Sequence, residues 1–281
     1  MKLQTIVDIP ASPWKIGYED KILMVGSCFS DEIGEQMKQR YLNVTCNPFG
    51  TLYNPLSIAK ALTMTEVPEL IEYEGLYHSM AHHGSFSRAD QQEAEIAIRI
   101  SIETMQKALD EASVIIVTFG TAWVYEKDGE IVGNCHKLPE SCFTRRRLSV
   151  DEIVSAWQPI IARYPDKHWI FTVSPIRHIR DGLHENQLSK ATLLQAVECL
   201  CSVSETICAL SANRSYFPSY EIMLDELRDY RFYADDLVHP SSLAVSYIWE
   251  RFVDTFCTPQ TKNELVLQHK RWKHEHHLPL H

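Results

Sequence analysis

Residues 21–26, Lys-Ile-Leu-Met-Val-Gly, form a short apolar run that ends in glycine and delivers Ser27 and Cys28 to the next segment. The runs Val-Ile-Ile-Val-Thr-Phe at 114–119 and His-Trp-Ile-Phe-Thr-Val-Ser at 168–174 are likewise apolar at successive positions, not alternate ones. That pattern fits strands of a parallel sheet with both faces covered by helices. Asn43 to Cys46 predicts a further short strand, followed by the turn-rich Asn47-Pro-Phe-Gly-Thr51.

Helical spacing fills the intervals. Helices are expected over 30–41, 56–64 and 92–112. Ser149 and Glu152 have capping-box spacing, and Ile153, Ala156, Trp157, Ile160 and Ile161 share one face until Tyr164-Pro165-Asp166 stops the helix. Another helix is expected from Asn186 to about Leu210, and Ser241 or Ser242 caps a last amphipathic helix to Phe256, beyond which 258–281 is a polar tail. The segment 73–90 reads as irregular and histidine-rich. Trp123 to Tyr125 and Glu130 to Gly133 flank the turn Lys127-Asp128-Gly129, a hairpin excursion within an insertion at about 121–147. The expected architecture is a three-layer α/β/α sandwich with a mainly parallel sheet, one domain over 1–281. Ligands bind such sheets at the carboxyl ends of the strands, where 26–28, 47–50, 120–121 and 174–175 would gather.

Composition narrows the function. Of the 281 residues 45% are hydrophobic and 23% charged, ordinary for a chain with a large core, and the net charge of -10 offers no general attraction to nucleic acid or anionic lipid. Arg145-Arg146-Arg147 is the compact basic exception, a solvated surface or a contact for a phosphate or carboxylate. Neither a signal peptide nor a membrane span is legible, so a soluble, cytoplasmic protein is expected. The 8 cysteines are scattered and no pair has Cys-x-x-Cys spacing. His78, His82, His83 and His136 lack a helical His-x-x-x-His pattern with a paired acid, so no metal site is expected.

Two segments suggest chemistry. Gly26-Ser27-Cys28 stands at a strand-to-helix turn, where the positive helix start favours a thiolate or a developing oxyanion; a cysteine there is expected to ionise below the free-thiol value. In Ala234-Asp-Asp-Leu-Val-His-Pro-Ser241, Asp236 is spaced to hold one nitrogen of His239, leaving the other to take a proton from a nucleophile. Asp181 and His184 repeat the spacing within a charged run that reads as surface loop. Arg177 and His178 follow a strand end as substrate contacts or loop braces. The aromatics at 216–220 and 229–233 read mainly as packing.

The strand with Gly26-Ser-Cys-Phe-Ser30, together with Asp236-x-x-His239-Pro-Ser, resembles the GSCFA family, a bacterial branch related to the SGNH/GDSL hydrolases. Asn47-Pro-Phe-Gly-Thr51, Gly120-Thr-Ala-Trp123, Asn134-Cys-His136, Ser174-Pro-Ile-Arg-His178 and Asn186-Gln-Leu-Ser-Lys190 match as well. The resemblance implies an SGNH-like fold. It also implies an acyl hydrolase or acyltransferase acting on an ester, such as an O-acyl carbohydrate, with Cys28 as nucleophile, Ser27 as the alternative, and His239 and Asp236 behind it. Ala122 replaces the superfamily's oxyanion asparagine. The Gly50 and Cys28 backbone N–H groups, the Trp123 indole and the Asn134 amide are the candidate donors instead. Arg177, His178, Asn47, Gly120 and His83 are the candidate substrate contacts. Hydrolysis needs no cofactor, whereas a transferase would draw on an acyl donor such as acetyl-coenzyme A. The competing expectation, favoured by Ala122, is a non-catalytic carbohydrate- or ligand-binding protein on the same scaffold. The oligomeric state is not legible.

Overall fold

The three apolar runs stand side by side in a five-stranded, fully parallel sheet. The computed structural model describes residues 4–202 and 213–276, so the end of the helix expected to reach Leu210, and Cys208 with it, lies outside the described residues. In chain order the elements are β1 (Lys21–Gly26), α1 (Cys28–Lys38), β2 (Asn43–Cys46), α2 (Pro55–Thr63), β3 (Ile71–Tyr73), β4 (Leu76–His78) and α3 (Gln91–Glu111). β5 (Val114–Phe119), β6 (Trp123–Lys127), β7 (Glu130–Val132), β8 (Thr144–Arg147), α4 (Val150–Arg163), β9 (His168–Val173) and α5 (Leu183–Cys201) follow. The last are β10 (Arg214–Phe217), the single turn α6 (Ser219–Glu221), α7 (Ser242–Phe256) and α8 (Pro259–His276).

Strand order is β10-β9-β5-β1-β2. Alternate side chains of each central strand enter separate cores. Leu23 and Val25, Ile115 and Val117, and Trp169 and Phe171 meet α2, α3, α4 and α5, whereas Ile22 and Met24, Val114 and Ile116, and Ile170 meet α1, α7 and Leu265 of α8. Two apolar faces per strand require a helical layer on each side, which is the expected α/β/α sandwich. Among these strands the chain runs outward from β1 to β2 and then from β5 to β9 and β10, so direction reverses between β1 and β5. Adjacent crossovers then part to opposite faces and leave a crevice at the carboxyl ends of those two strands.

The expected helices form with their caps: Ser149 and Glu152 make a reciprocal capping box, and of the two serines before α7 it is Ser241 whose Oγ accepts a bond from Ala244 N. Three departures concern short or polar segments. The hairpin β3–β4 leads into the histidine-rich stretch, the polar tail forms α8, and β10 adds an edge strand of only 4 residues. β6, β7 and β8 form a separate antiparallel sheet. None of the described helices is long and apolar enough to cross a membrane.

Gly26 ends β1 at φ +137°, and a Cβ there would lie 2.1 Å from the Thr118 carbonyl oxygen on β5. Gly26→Ala is therefore expected to destabilise the protein by about 3 kcal/mol or more, the combined effect of strain and displaced backbone. Urea denaturation checks this, and an unchanged midpoint would show that the strand ends can part freely.

Candidate active site

Cys28 is the first residue of α1, presented by the Gly26 turn at the reversal point of the sheet. Asn47 Oδ1 accepts a bond from Gly26 N at 2.8 Å, and its amide donates to Asp31 Oδ1 at 2.8 Å, tying the end of β1 to the first turn of α1. Cys28 is half-buried, and its Sγ lies 3.9 Å from His239 Nε2. Ser27 is buried at 1% exposure, and its Oγ has no hydrogen-bond partner among the described residues. The sulfur, not the neighbouring hydroxyl, meets the imidazole.

The acid-histidine segment is a tight loop before α7. Asp236 Oδ1 accepts bonds from the backbone N–H groups of Val238 and His239, both at 2.9 Å, and Oδ2 lies 2.6 Å from His239 Nδ1. These donors hold the Asp236 carboxyl down at about 2, the two backbone N–H groups acting most strongly. Leu237 at φ +56° closes the turn, and Ala234 N donates to His239 O at 2.8 Å. Arg177 braces the loop from the end of β9: its N–H donates to Val238 O at 3.2 Å, and its guanidinium lies 3.9 Å from the centre of the Tyr233 ring. With Nδ1–H given to Asp236, Nε2 is the acceptor that faces the thiol.

The thiol does not ionise below its ordinary value as its helix-start position suggests. Burial pushes it up, and the Asp31 and Glu32 carboxylates push further, against the backbone N–H groups of Cys28 and Phe29 that pull it down. Desolvation, the largest effect, together with Asp31 in the first turn of α1 and Glu32 just beyond it, outweighs the pull of the helix start. The resting group is a thiol.

Cys28 and His239 open into a cavity of about 440 Å³. Period-2 geometry of the small sheet supplies one wall: Trp123 and Tyr125 on β6 and Arg145 on β8 face the cavity, whereas Val124 is buried in the core. Arg145 pairs with Asp181 and stacks 4.7 Å from the Trp123 ring centre, so Asp181 belongs to this wall and not to a surface loop; His184 is exposed. Arg146 pairs with Glu126 and Glu152, and Arg147 with Glu185, as a solvated face would. Asn134 and His178 complete the wall, and the Trp123 Nε1 and His178 Nε2 atoms are buried without partners among the described residues. Burial, with Lys190 and His239 nearby, holds His178 neutral by lowering its imidazole to about 3.

Other expected contacts are framework. Gly50 donates its N–H to Asn47 O at 2.8 Å, so that donor is already engaged, and its φ of +74° lets the chain press against His83, whose Cβ would lie 2.3 Å from a Cβ there. Gly120 donates to Tyr53 O at 2.8 Å. Asn47, Gly50, His83 and Gly120 do not line the cavity. The histidine cluster is paired internally: His82 with Ser79 and Ser101, His78 with Ser87, and His136 with the Ser79 carbonyl. Among the described residues no group of three or more His, Cys, Asp or Glu is arranged to hold a metal ion.

Sequence reasoning missed Tyr53 and Lys190. Tyr53 lines the same cavity as Cys28; burial raises its pKa, and negative charge at Cys28 and Asp31 raises it further. Its signal was its place in the loop after the second strand, at the carboxyl edge. Lys190 sits on the buried stripe of α5 with Asn186, Ser189, Leu193, Val197 and Leu200, where the helical period exposes it as a charge among core positions.

The model of the GSCFA family matches residues 21–252. No curated protein matches the chain. Among solved structures, a gut microbial diltiazem-metabolizing enzyme is similar at 13% identity and a TM-score of 0.43, over 90% of this chain and 48% of that one. A family two carbohydrate esterase from Clostridium thermocellum, in complex with cellohexaose, is similar at 15% identity and a TM-score of 0.37, over 89% of this chain and 66% of that one. The chain thus spans about half the length of the first.

Proposed function

This chain belongs to the GSCFA family, and from that premise we propose that it is an SGNH-type acyl hydrolase or acyltransferase acting on an ester through Cys28, His239 and Asp236. The observation that carries the reading is the relay itself, Sγ at 3.9 Å from Nε2 and Nδ1 at 2.6 Å from the Asp236 carboxylate. Because the thiol is held protonated, His239 acts as general base at the moment of attack. Sγ–H gives its proton to Nε2 as sulfur bonds to the carbonyl carbon, and the carbonyl electron pair moves to oxygen. Collapse of that oxyanion breaks the C–O bond, the imidazolium returns the proton to the departing alkoxide, and a thioester remains on Cys28. Water, or an acceptor alcohol in the transferase case, then attacks the thioester while His239 takes its proton and passes it to the departing sulfur.

The candidate oxyanion donors on the cavity are the Cys28 backbone N–H, the Tyr53 hydroxyl and the Trp123 indole N–H, the last without a partner among the described residues. They stand in for the side chain that Ala122 lacks. The aromatic faces of Trp123, Tyr125 and Tyr53 suit the ring of an O-acylated carbohydrate. No step requires a cofactor, and an acyl thioester would serve as donor for transfer.

Rapid quenching after mixing with a short-chain aryl acetate, followed by peptide mass spectrometry, is expected to find an acetyl group on Cys28 that hydroxylamine removes. Turnover with the acetyl group on Ser27, or with no covalent adduct, overturns the assignment. The second reading, a carbohydrate-binding protein without turnover, is favoured by Ala122, which is buried and has no side-chain donor. Saturable sugar binding with neither adduct nor product would establish it.

A further inference from the structure

Three arginines line the cavity, Arg145, Arg177 and Arg180, against one acid, Asp181. Both Asp181 oxygens are taken by Arg145, and Arg180 pairs with Glu140 on the exposed rim. Among the described residues the Arg177 guanidinium has no acidic partner. It touches the Leu237 carbonyl oxygen, with Nη1 at a long 3.4 Å, and the Tyr233 and Tyr230 rings, whose centres lie at 3.9 and 5.5 Å. Stacking on tyrosines holds the plane of the guanidinium without neutralising it, because an aromatic face carries only partial negative charge. Unlike Arg145, whose Nε is buried without a partner, Arg177 keeps its free Nε and Nη2 in contact with solvent. Arg177 also stands at a border. Two smaller depressions, of about 130 and 200 Å³, share it with the Cys28–His239 cavity and are lined by Met223, Leu224, Tyr230 and Tyr233. A group held there lies at the margin of the cavity, beside the reacting ester and not on it.

We propose that Arg177 is an anion subsite of the cavity, and that the ester this chain takes carries a carboxylate or phosphate away from the reacting carbonyl, an inference that rests on reading Cys28 and His239 as the reacting pair. With the other two arginines paired, Arg177 leaves one uncompensated cation on the cavity of a chain whose net charge is -10. Its Nε and Nη2 present parallel N–H donors, the fork that matches two oxygens of a carboxylate or phosphate. Bracing the His239 loop does not compete with this role. The brace uses the backbone N–H, the Nη1 donor and the stacked ring, and it leaves the Nε–Nη2 edge for the ligand. A purely structural arginine would affect neutral and anionic substrates alike, so the ratio between them separates recognition from bracing.

The first test needs no turnover. The Arg177 Nε–H resonance, assigned by its absence from Arg177→Gln, is followed by nitrogen NMR as succinate, phenyl phosphate or the neutral succinamide is added. Saturable shifts with the two anions at roughly millimolar concentration, and none with succinamide, are expected. No shift, or one no larger than that of Arg99, exposed on α3, overturns the proposal. If Arg177→Gln does not fold, contacts to the Tyr233 ring identify the resonance in wild type instead. The second test compares para-nitrophenyl acetate with mono-para-nitrophenyl succinate, which carries the anion on the acyl side, and with para-acetoxybenzoate, which carries it on the alcohol side. Arg177→Gln is expected to lower kcat/KM about tenfold more for one anionic ester than for the neutral acetate, and that ester identifies the side on which the charge is borne. An equal loss for all three assigns Arg177 to bracing alone and overturns the proposal. If wild type turns over none of the esters, the catalytic reading fails while the NMR titration still decides the subsite.

Discussion

Cys28→Ala is expected to lower kcat/KM for a short-chain aryl ester by ~10⁴-fold or more, whereas Ser27→Ala changes it by less than about threefold. The contrast follows from the turn at Gly26, which sends adjacent side chains to different environments. The Cys28 sulfur faces Nε2 of His239 at 3.9 Å, and the Ser27 hydroxyl is enclosed without a partner. Removing the sulfur eliminates the covalent route and leaves only the oxyanion donors and binding. Removing the Ser27 hydroxyl deletes an unsatisfied polar atom, so that variant is also expected to melt no lower than wild type. Steady-state kinetics with a circular-dichroism melt of each variant decide the matter. Full activity in Cys28→Ala would end the nucleophile assignment, and loss confined to Ser27→Ala would transfer the role to the serine.

Asp236→Asn is expected to lower kcat by ~10³-fold, with KM and melting temperature nearly unchanged. The amide oxygen can still accept the Val238 and His239 backbone N–H groups that Oδ1 accepts at 2.9 Å, so the loop keeps its shape. At the other position an NH₂ group replaces the carboxylate oxygen facing Nδ1 and donates where the native group accepts. The imidazole then carries its proton on Nε2 and cannot take one from the thiol. The carboxylate is held at about 2 by these same donors. Since its pKa is depressed in the fold, its favourable contribution is complete above the unfolded value near 4 and fades as pH falls toward 2. It is ionised throughout the neutral range, so the Asn variant reproduces no state that wild type samples there. Nitrogen NMR of the His239 ring reports the tautomer directly, and unchanged kcat with an inverted tautomer would remove Asp236 from the relay.

Much of this architecture was legible locally. Continuous apolar runs at β1, β5 and β9 required two covering layers, the Ser149–Glu152 box marked the start of α4, and Gly26-Ser-Cys with Asp236-x-x-His239 marked the two halves of the proposed relay. β10 was not legible, since an edge strand of 4 residues has too few positions to set a period. The framework role of Asn47, Gly50 and Gly120 was hidden for a different reason. A strand-end glycine or asparagine looks the same whether its N–H faces a ligand or a neighbouring carbonyl. The direction of the Cys28 shift was misread because position at a helix start is visible in sequence, whereas the depth of burial that opposes it is not.

By itself the sequence determined the periodicities, the caps and the chemical types available at the strand ends, because each depends on residues within a few positions of one another. Tertiary structure alone decided that residues separated by 211 positions meet as a thiol-imidazole pair, that Tyr53 lines the same cavity as the sulfur, and that Lys190 lies enclosed with no acid paired to it among the described residues. Those outcomes depend on how the crossovers part between β1 and β5 and on how much water the packed layers exclude. Distance and desolvation arise only when the whole sheet and both helical layers are assembled.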